Sequence, residues 1–313
     1  MEVRKLEVFC KVVELKSFTR AAAAVMLSQP TVSEHIRSLE DELGQKLVDR
    51  LGRQVEPTPV GRLLYSYAVK ILRIQQDALQ AIEHYGGKLV GRIMIGAGSI
   101  PGTYILPGVI GRFRERYPSI QATLKINSSH QIVQDVLDGQ LEIGVVGARW
   151  SERGLDFREI YSDSLSVIVS ADHHLAEKKE VSLTELIEEP FILRENGSGT
   201  RKVVDQIFEN HGVKATSLCE VAEIGSTEAV LQAVKEGMGI SIVSSKAMEK
   251  DLRAGTIASL SIKGIKMERP FYMIRRKNRE LSPAAAVFWV FLQQETSGTG
   301  SWEHPHSSRL RNV

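Results

Sequence analysis

The stretch SFTRAAAAVMLSQPTVSEHIRSLEDELGQKL (residues 17–47) contains two helix-like segments separated by only a few residues. Ser17 and Ser28 stand where a helix N-cap is favoured, and Pro30 falls in the first turn of the second segment, where a missing N–H costs nothing. Gly44 is the usual type of residue to end a helix. The stretch therefore predicts two helices joined by a tight turn.

The second helix has an apolar face and a polar face. The apolar residues recur at helical spacing and predict a buried stripe of Val32, Ile36, Leu39 and Leu43. The opposite face carries small polar residues and an arginine, a composition that fits base edges in a DNA major groove. A small helical domain with a solvated charged face is the alternative, and spacing alone leaves both open.

The polar face supplies candidate DNA contacts. Arg37 can reach guanine or a phosphate, whereas Thr31 and Ser33 can bond to a phosphate or a base. Glu34 can accept a hydrogen bond from a cytosine amino group, or it can repel the DNA backbone and reject wrong sites.

A basic stretch with two prolines, DRLGRQVEPTP (residues 49–59), follows the second helix and predicts two short strands joined by a hairpin. Lys46, Arg50 and Arg53 surround this hairpin. We expect them to grip phosphates or the minor groove.

The run quoted above closely resembles the helix-turn-helix of LysR-type transcriptional regulators. In that family the equivalent of the segment from Gln29 begins the recognition helix, so the resemblance implies that Gln29, Pro30 and Ser33 contact DNA. Arg53 matches the family's wing arginine. The chain departs from the family at Glu34, where a basic or amide residue is common, and we expect its operator readout to differ there.

From Val60 the sequence predicts one long helix that ends at Gly86 and Gly87. Its apolar residues fall within roughly 40° of one line, a narrow seam that suits a partner helix. The seam consists of Val60, Leu64, Tyr67, Ile71, Ile74, Ala78, Ile82 and Tyr85. At about 1.5 Å per residue the helix is about 39 Å long, too long for a small domain to cover. We expect it to pair with its copy in a homodimer.

Length and composition limit the classes of protein. A chain of 313 residues is too long for one compact core, and its 42% hydrophobic and 25% charged residues are ordinary globular values. No run of roughly 18 apolar residues and no secretory signal is evident, so we expect a cytoplasmic protein without a membrane partner. The net charge of +2 does not decide for or against nucleic acid. Cys10 and Cys219 lack metal-ligand spacing and are interpreted as buried hydrophobes.

From residue 91 onward, strands alternate with helices, which predicts an α/β architecture with mainly parallel sheets. The LysR resemblance implies a two-lobed, periplasmic-binding-protein-like effector domain after an all-α winged helix-turn-helix and a linker helix. The predicted domains are 1–59 (DNA-binding), 60–89 (linker and dimerisation helix) and 90–296 (effector-binding). Lobe I comprises about 90–163 and 266–296, lobe II about 164–265, and we expect the tail 297–313 to be disordered.

Three loops of the α/β half follow a strand and precede a helix. They are Gly98-Ser99, Asn127-Ser128-Ser129-His130 and Asn196-Gly197-Ser198-Gly199-Thr200-Arg201. Because helix N-termini attract anions and ligands bind beyond the carboxyl ends of strands, we expect the loops to converge on one cleft. An ordinary turn is the alternative for any single loop.

Resemblance to LysR effector domains makes Ser99, Ser128, Ser198, Thr200 and Arg201 candidate ligand contacts, with Thr227 a weaker candidate. Arg201 can instead pair with a structural carboxylate. Hydroxyls and amides favour a small oxyanion or carboxylate over a large aromatic ligand. The sequence is also similar to the LysR branch linked to sulfur and selenium metabolism, which suggests a sulfur oxyanion.

The predicted function is that of a sequence-specific transcription regulator. Its expected partners are a double-stranded DNA operator, a small-molecule effector, further copies of itself as a homodimer or homotetramer, and RNA polymerase, with no cofactor or metal. A solute-binding protein would need an export signal. An enzyme would be expected to carry a catalytic motif such as GxSxG, Walker A or HExxH, and the sequence lacks these motifs. Both of these alternatives leave the first 60 residues without a role.

Overall fold

The computed structural model of the protein describes residues 1–51, 54–85, 90–213 and 217–297. Its contacts divide the chain into two units, Met1–Lys88 and Leu89–Val313. Among the described residues, no helix is both long enough and apolar enough to span a membrane. The tail predicted to be disordered lies, beyond Ser297, outside the described residues.

The first unit begins with the helices α1 (Val3–Leu15), α2 (Phe18–Ala24) and α3 (Gln29–Leu43). Ser17 caps α2 by accepting the N–H of Arg20, and Ser28 caps α3 by accepting the N–H of Thr31. Gly44 follows α3 with a φ of 64°, a left-handed conformation that glycine adopts without steric cost. The two predicted helices and their tight turn are confirmed.

A hairpin and a long helix complete the first unit. They are β1 (Val48–Leu51), β2 (Gln54–Pro57) and α4 (Pro59–Tyr85). The strands pair antiparallel, with Val48 opposite Pro57, so the predicted hairpin is confirmed. The helix is confirmed as well, and its 27 residues begin one position earlier than predicted, because proline is favoured in a first helical turn.

The inner faces of α1, α2 and α3 form the core of this unit together with the first turns of α4. Val32, Ile36 and Leu39 are at most 2% exposed, as predicted, whereas Leu43 is 39% exposed. The expectation for Leu43 is wrong because this residue lies in the last turn of α3, where the helix extends past the core.

The second unit is α/β. Its strands are β3 (Gly91–Ala97), β4 (Ile120–Ile126), β5 (Ile143–Val146), β6 (Leu155–Ser170), β7 (Glu180–Val181), β8 (Pro190–Arg194), β9 (Cys219–Ile224), β10 (Ser241–Ser244), β11 (Ile257–Ile262) and β12 (Glu268–Arg276). Its helices are α5 (Leu106–Arg116), which follows a π-helical turn at Pro101–Ile105, α6 (Ser129–Leu137), α7 (Leu183–Glu188), α8 (Gly199–Asn210), α9 (Thr227–Lys235), α10 (Ser245–Arg253) and α11 (Pro283–Ser297). The predicted alternation of strands and helices is confirmed.

Two long strands, β6 and β12, carry the chain between two lobes. The first part of β6 pairs with β12, from Leu155 opposite Arg276 to Ser164 opposite Glu268. From Leu165 onward β6 pairs with β10 and β11 instead. We define lobe I by β3, β4, β5 and the helices packed on them, and lobe II by the elements from β7 to β11.

The sheets of this unit are mixed, so the expectation of mainly parallel sheets is wrong. The pairs β3–β4, β3–β5, β8–β9 and β7–β11 are parallel. The pairs that involve β6, and the pair β5–β12, are antiparallel. The reason is that the chain passes from lobe I to lobe II on β6 and returns on β12, and two such strands run in opposite directions.

The two cysteines differ in environment. Cys10 is 3% exposed, and burial raises the pKa of its thiol to about 12, as expected of a buried hydrophobe. Cys219 is exposed, so the same expectation is wrong for this residue, which begins β9 with its side chain facing outward.

Candidate functional site

The polar face of α3 lies open at the N-terminal end of the helix. Gln29, Pro30, Glu34 and Arg37 are exposed, and Thr31 and Ser33 are half-buried. The six candidate DNA contacts on this helix therefore lie away from the buried stripe and can be reached from outside.

Short hydrogen bonds order the start of this face. The amide Nε2 of Gln29 donates to Ser33 Oγ at 2.9 Å, and the hydroxyls of Ser28 and Thr31 are 2.7 Å apart. Hydroxyls held in this way keep a lone pair or proton for an outside partner. The face thus offers fixed donors and acceptors at a helix N-terminus, where phosphate is also favoured.

The candidate DNA contacts of the hairpin are Arg50 and Arg53. Gly52 and Arg53 lie outside the described residues, as does the side chain of Arg50. The roles of Arg50 and Arg53 stay predictions. Lys46, also expected to grip phosphates, places its ammonium 2.7 Å from a carboxylate oxygen of Glu40.

Glu40 joins α3 to the hairpin. Its carboxylate is only 8% exposed and accepts the N–H of Leu47 at 2.9 Å and that of Val48 at 3.4 Å. Burial alone would raise the pKa of Glu40, but these bonds and the one from Lys46 outweigh it and hold the pKa below its ordinary value. Sequence reasoning missed Glu40 because a glutamate beside two other acidic residues looks like a surface charge.

The apolar seam of α4 is largely uncovered. Tyr67, Ile74 and Ile82 are 58%, 58% and 69% exposed, whereas Leu64 and Ile71 pack against the core of the first unit. The side chain of Tyr85 lies outside the described residues. A row of large exposed apolar side chains is typical of a surface that another protein covers.

The three predicted loops meet between the lobes of the second unit, as expected. In the first turn of α6, the N–H of His130 donates to the carbonyl of Gly197 at 3.1 Å. A Cβ on Gly199 would lie 2.9 Å from Ser129 Oγ and 3.0 Å from the carbonyl carbon of Gly147, so only glycine allows this approach. The loops therefore touch one another directly.

Two of the predicted hydroxyls serve as helix caps. Ser128 Oγ accepts the N–H of Gln131 at 3.2 Å, and Ser198 Oγ accepts the N–H of Arg201 at 3.4 Å. Each hydroxyl keeps its own proton and can donate it to a ligand. The N-termini of α6 and α8 bring partial positive charge to the cleft.

Arg194, at the end of β8, is the central residue that sequence reasoning missed. It is 4% exposed and donates to Ser99 Oγ at 3.4 Å, to the carbonyl of Gly225 at 3.1 Å, to Glu195 at 3.3 Å and to Thr227 Oγ1. Burial lowers its pKa, yet a guanidinium stays charged in proteins. An arginine that ends an apolar strand, FILR, just before a glycine-rich loop was the available signal.

Arg269 lies at the crossover of the two lobes. It is 2% exposed, forms an ion pair with Asp163 at 2.9 Å and donates to Thr200 Oγ1 at 3.0 Å. Ser244 donates to the other oxygen of Asp163 at 2.8 Å. Burial lowers the pKa of Arg269, while Asp163 opposes that change by stabilising the charge.

Arg201 turns away from the cleft. Its Nε lies 2.9 Å from both carboxylate oxygens of Asp205, and its Nη1 donates to the carbonyl of Arg194 at 3.2 Å. The structural ion pair considered as an alternative is therefore the arrangement that forms, because residues four apart on α8 share one face. Thr227, 2% exposed, lies behind the guanidinium of Arg194.

Two of the cavities between the lobes are lined by residues of the predicted loops. The inner cavity, of about 10 Å³, is lined by residues that include Ser198, Thr200 and Arg269, and it has room for roughly one water. The outer cavity, of about 230 Å³, is lined by residues that include Ser128 and Glu228. Ser99 lines both. Arg201 and Thr227 line neither.

The fold and these surfaces define a DNA-binding regulator with a ligand-binding domain, and comparison with known proteins supports this class. Residues 3–62 match the family "Bacterial regulatory helix-turn-helix protein, lysR family", and residues 86–297 match "LysR substrate binding domain". The chain belongs to the LysR family. It is a DNA-binding transcription regulator with an effector-binding domain, and not an enzyme.

Relatives and solved structures agree with this assignment. The chain is 32% identical to a RuBisCO operon transcriptional regulator of Allochromatium vinosum over 95% of this chain and 97% of the relative. It has the fold of CbnR, a LysR family transcriptional regulator (22% identity, TM-score 0.72, 95% and 99% of the two chains). It also resembles the CcmR regulatory domain of Synechocystis, solved in complex with 2-PG (29% identity, TM-score 0.61, 66% and 98%). None of these names supports the predicted link to the sulfur and selenium branch.

Proposed function

We propose that two copies of the chain, joined through α4, read a double-stranded operator with the polar face of α3 and the hairpin. A small anion bound between the lobes of the effector domain alters that binding. The observation that carries the proposal is that two helix N-termini present polar groups: the start of α3 on the surface, and the start of α6 between the lobes.

The DNA half of the proposal rests on exposure and order. Arg37 and Glu34 are exposed on the same face of α3 as Gln29, and Ser33 is held in place by the amide of Gln29. A rigid polar face at the start of a helix suits direct readout, because base discrimination needs donors and acceptors at fixed positions.

The effector half rests on charge and hydrogen-bond donors. The start of α6, with Ser128 as its cap, borders the outer cavity, as do Ser226, which caps α9, and Ser99. The guanidinium of Arg194 lies behind Ser99. Helix N-termini and hydroxyls favour a compact oxyanion or carboxylate, and the cavity of about 230 Å³ limits its size.

Calorimetry of the full chain tests the effector. Sulfate, sulfite, small carboxylates and 2-PG, the ligand of the CcmR domain, are titrated separately. At least one is expected to give saturable heat that Ser99→Ala reduces about tenfold or more, while Ser261→Ala, on the exposed side of β11, leaves it unchanged. Saturable heat from none of these anions would contradict the anionic effector.

The regulatory step is a change in the pose of the lobes. Only a ligand with different affinity for two poses can shift them, so the effector must bind one pose more tightly. We expect a saturating effector to change the DNase footprint or the DNA bend. An unchanged footprint under those conditions would contradict the switch.

The proposal also covers the location of the protein, its oligomeric state and its contact with RNA polymerase. We place the protein in the cytoplasm, as a homodimer that pairs into a homotetramer and contacts RNA polymerase at its operators. The exposed seam of α4 supports self-association. Light scattering should give twice or four times the mass of the chain, and a monomer at micromolar concentration would contradict this part.

A further inference from the structure

The outer cavity of the cleft is negatively charged on one side. Its lining includes two carboxylates, Glu195 and Glu228, and among the described residues that line it there is no lysine or arginine. Ser99 and Ser128, the two predicted ligand contacts that reach this cavity, lie on its other side, in lobe I. A ligand held by those serines must therefore face the two carboxylates.

Glu228 is held in position by two donors. The hydroxyl of Tyr104 donates to one of its oxygens at 3.1 Å, and Ser226 Oγ donates to the other at 2.9 Å. Burial, and then the charge of Glu228, raise the pKa of Tyr104, so that phenol keeps its proton and remains a donor. These two hydrogen bonds hold the carboxylate beside the cavity.

Glu195 is only partly neutralised. It lies 3.3 Å from Arg194, but the guanidinium also donates to Ser99, Gly225 and Thr227. The guanidinium carries one formal positive charge, whereas Glu195 and Glu228 together carry two formal negative charges. The charge that the ligand meets on the lobe II side of the cavity is therefore negative.

These charges restrict the part of the effector that lies beyond its anionic group more than they restrict the anionic group itself. One anionic group can bind at the hydroxyls and helix N-termini of the cleft. A second anionic group would lie near a carboxylate, where a pair of like charges about 5 Å apart at a partly exposed site weakens binding roughly tenfold. Hydroxyl or ammonium groups at the same place would instead donate hydrogen bonds to Glu195 and Glu228.

We infer that the effector has a single anionic group and a body that carries hydroxyl or ammonium groups, and that Glu195 and Glu228 reject ligands with a second anionic group. This inference rests on the proposed anionic effector. It names the chemical class of the ligand and two residues that determine specificity.

Two matched pairs of probes test the inference on the full chain by calorimetry at neutral pH. Glycerate is compared with malonate, and glycerol 1-phosphate with phosphoglycolate, so that within each pair a hydroxylated body replaces a second anion. The hydroxylated member is expected to bind at least tenfold more tightly in at least one pair. In Glu195→Gln/Glu228→Gln that preference should fall by about tenfold or more, because the second anion is no longer repelled.

Control variants separate this effect from a general loss of charge. Glu236→Gln removes an exposed negative charge at the opposite end of α9 and should leave the preference unchanged. Each single variant, Glu195→Gln or Glu228→Gln, should give part of the effect, which keeps the test valid if the double variant folds poorly.

The outcomes distinguish the inference from the proposal beneath it. Equal or tighter binding of malonate and phosphoglycolate to the wild-type chain would overturn the inference and leave the anionic effector standing. A preference that survives both single variants and the double variant would also overturn it. Binding of none of the four probes would overturn the inference, and if sulfate and sulfite also fail to bind, the anion site itself is contradicted.

Discussion

The start of α3 and the cleft between the lobes use hydroxyl groups at helix N-termini in opposite ways. On α3 the hydroxyls of Ser28, Thr31 and Ser33 bond to near neighbours in the chain, and these residues are exposed or half-buried. In the cleft, Thr200 and Thr227 are at most 5% exposed and accept bonds from buried guanidinium groups.

The α3 face and the cleft differ in which contacts within the protein a ligand must displace. DNA can dock on the α3 face without breaking contacts within the protein, so its affinity and salt dependence should follow from charge and shape. A ligand of the cleft meets groups that already bond across the lobes, such as His130 and Gly197, and it gains affinity only by exceeding those bonds. If the proposed switch operates, binding in the cleft must therefore depend on the pose of the lobes.

The largest expected effect comes from breaking the buried ion pair at the crossover. Arg269→Met leaves Asp163, whose side chain is fully buried, with only Ser244 as a described partner, and should destabilise the effector domain by about 3–5 kcal/mol. Urea unfolding followed by tryptophan fluorescence measures it.

A matched control lies on the same two strands. Arg275 pairs with Asp156 at 3.4 Å, but these side chains are 38% and 42% exposed. Arg275→Met should cost no more than about 1 kcal/mol. Equal losses for the two variants would show that burial of the Arg269 pair is not what matters.

A smaller effect should come from separating the lobes. Gly199→Ala places a methyl group 3.0 Å from the carbonyl carbon of Gly147 and 3.1 Å from its Cα, and backbone atoms can yield only if the lobes move. We expect a cost of about 1–3 kcal/mol and faster hydrogen exchange at the N–H of His130. Gly111→Ala is the control, since a Cβ there meets nothing within 4 Å. Unchanged exchange at His130 would argue against lobe contact through this loop.

The smallest effect concerns the α3 side of the comparison and depends on pH. Glu40 has a folded-state pKa below its unfolded value, so its stabilisation is complete above pH about 4.3 and is lost as the pH falls through the folded pKa. Glu40→Gln should therefore cost about 1–2 kcal/mol at pH 7, and the difference from wild type should shrink towards pH 3. Asp41→Asn, at an exposed neighbour, should show no such trend. A difference that is constant with pH would contradict the role of the charge.

The sequence predicts a region well when the residues that determine its structure lie close together in the chain. Helix caps act within a few residues of the helix end. The sequence therefore predicts α2, α3 and their turn from Ser17, Ser28 and Gly44. The loops of the cleft are also predictable, because each has a local strand-loop-helix pattern.

The chemistry of the cleft was harder to predict because it depends on distant partners. Arg194 is 95 residues from Ser99 in the sequence, and Arg269 is 106 residues from Asp163. No local sequence pattern therefore predicts either contact. The glycine-rich loop makes Arg201 a candidate ligand contact, but Asp205 on the same helix face holds its guanidinium. No sequence pattern singles out the carboxylates Glu195 and Glu228, which line the cavity between the lobes.

Selection of bound duplexes from a random DNA pool tests most directly whether α3 reads the sequence of DNA. The wild-type chain should enrich a two-fold symmetric motif whose half-sites are spaced by whole helical turns, and Arg37→Ala should relax the preference at one position of each half-site. If the wild-type chain enriches no sequence over random DNA, with or without small anions, the account of α3 as a reading surface is contradicted.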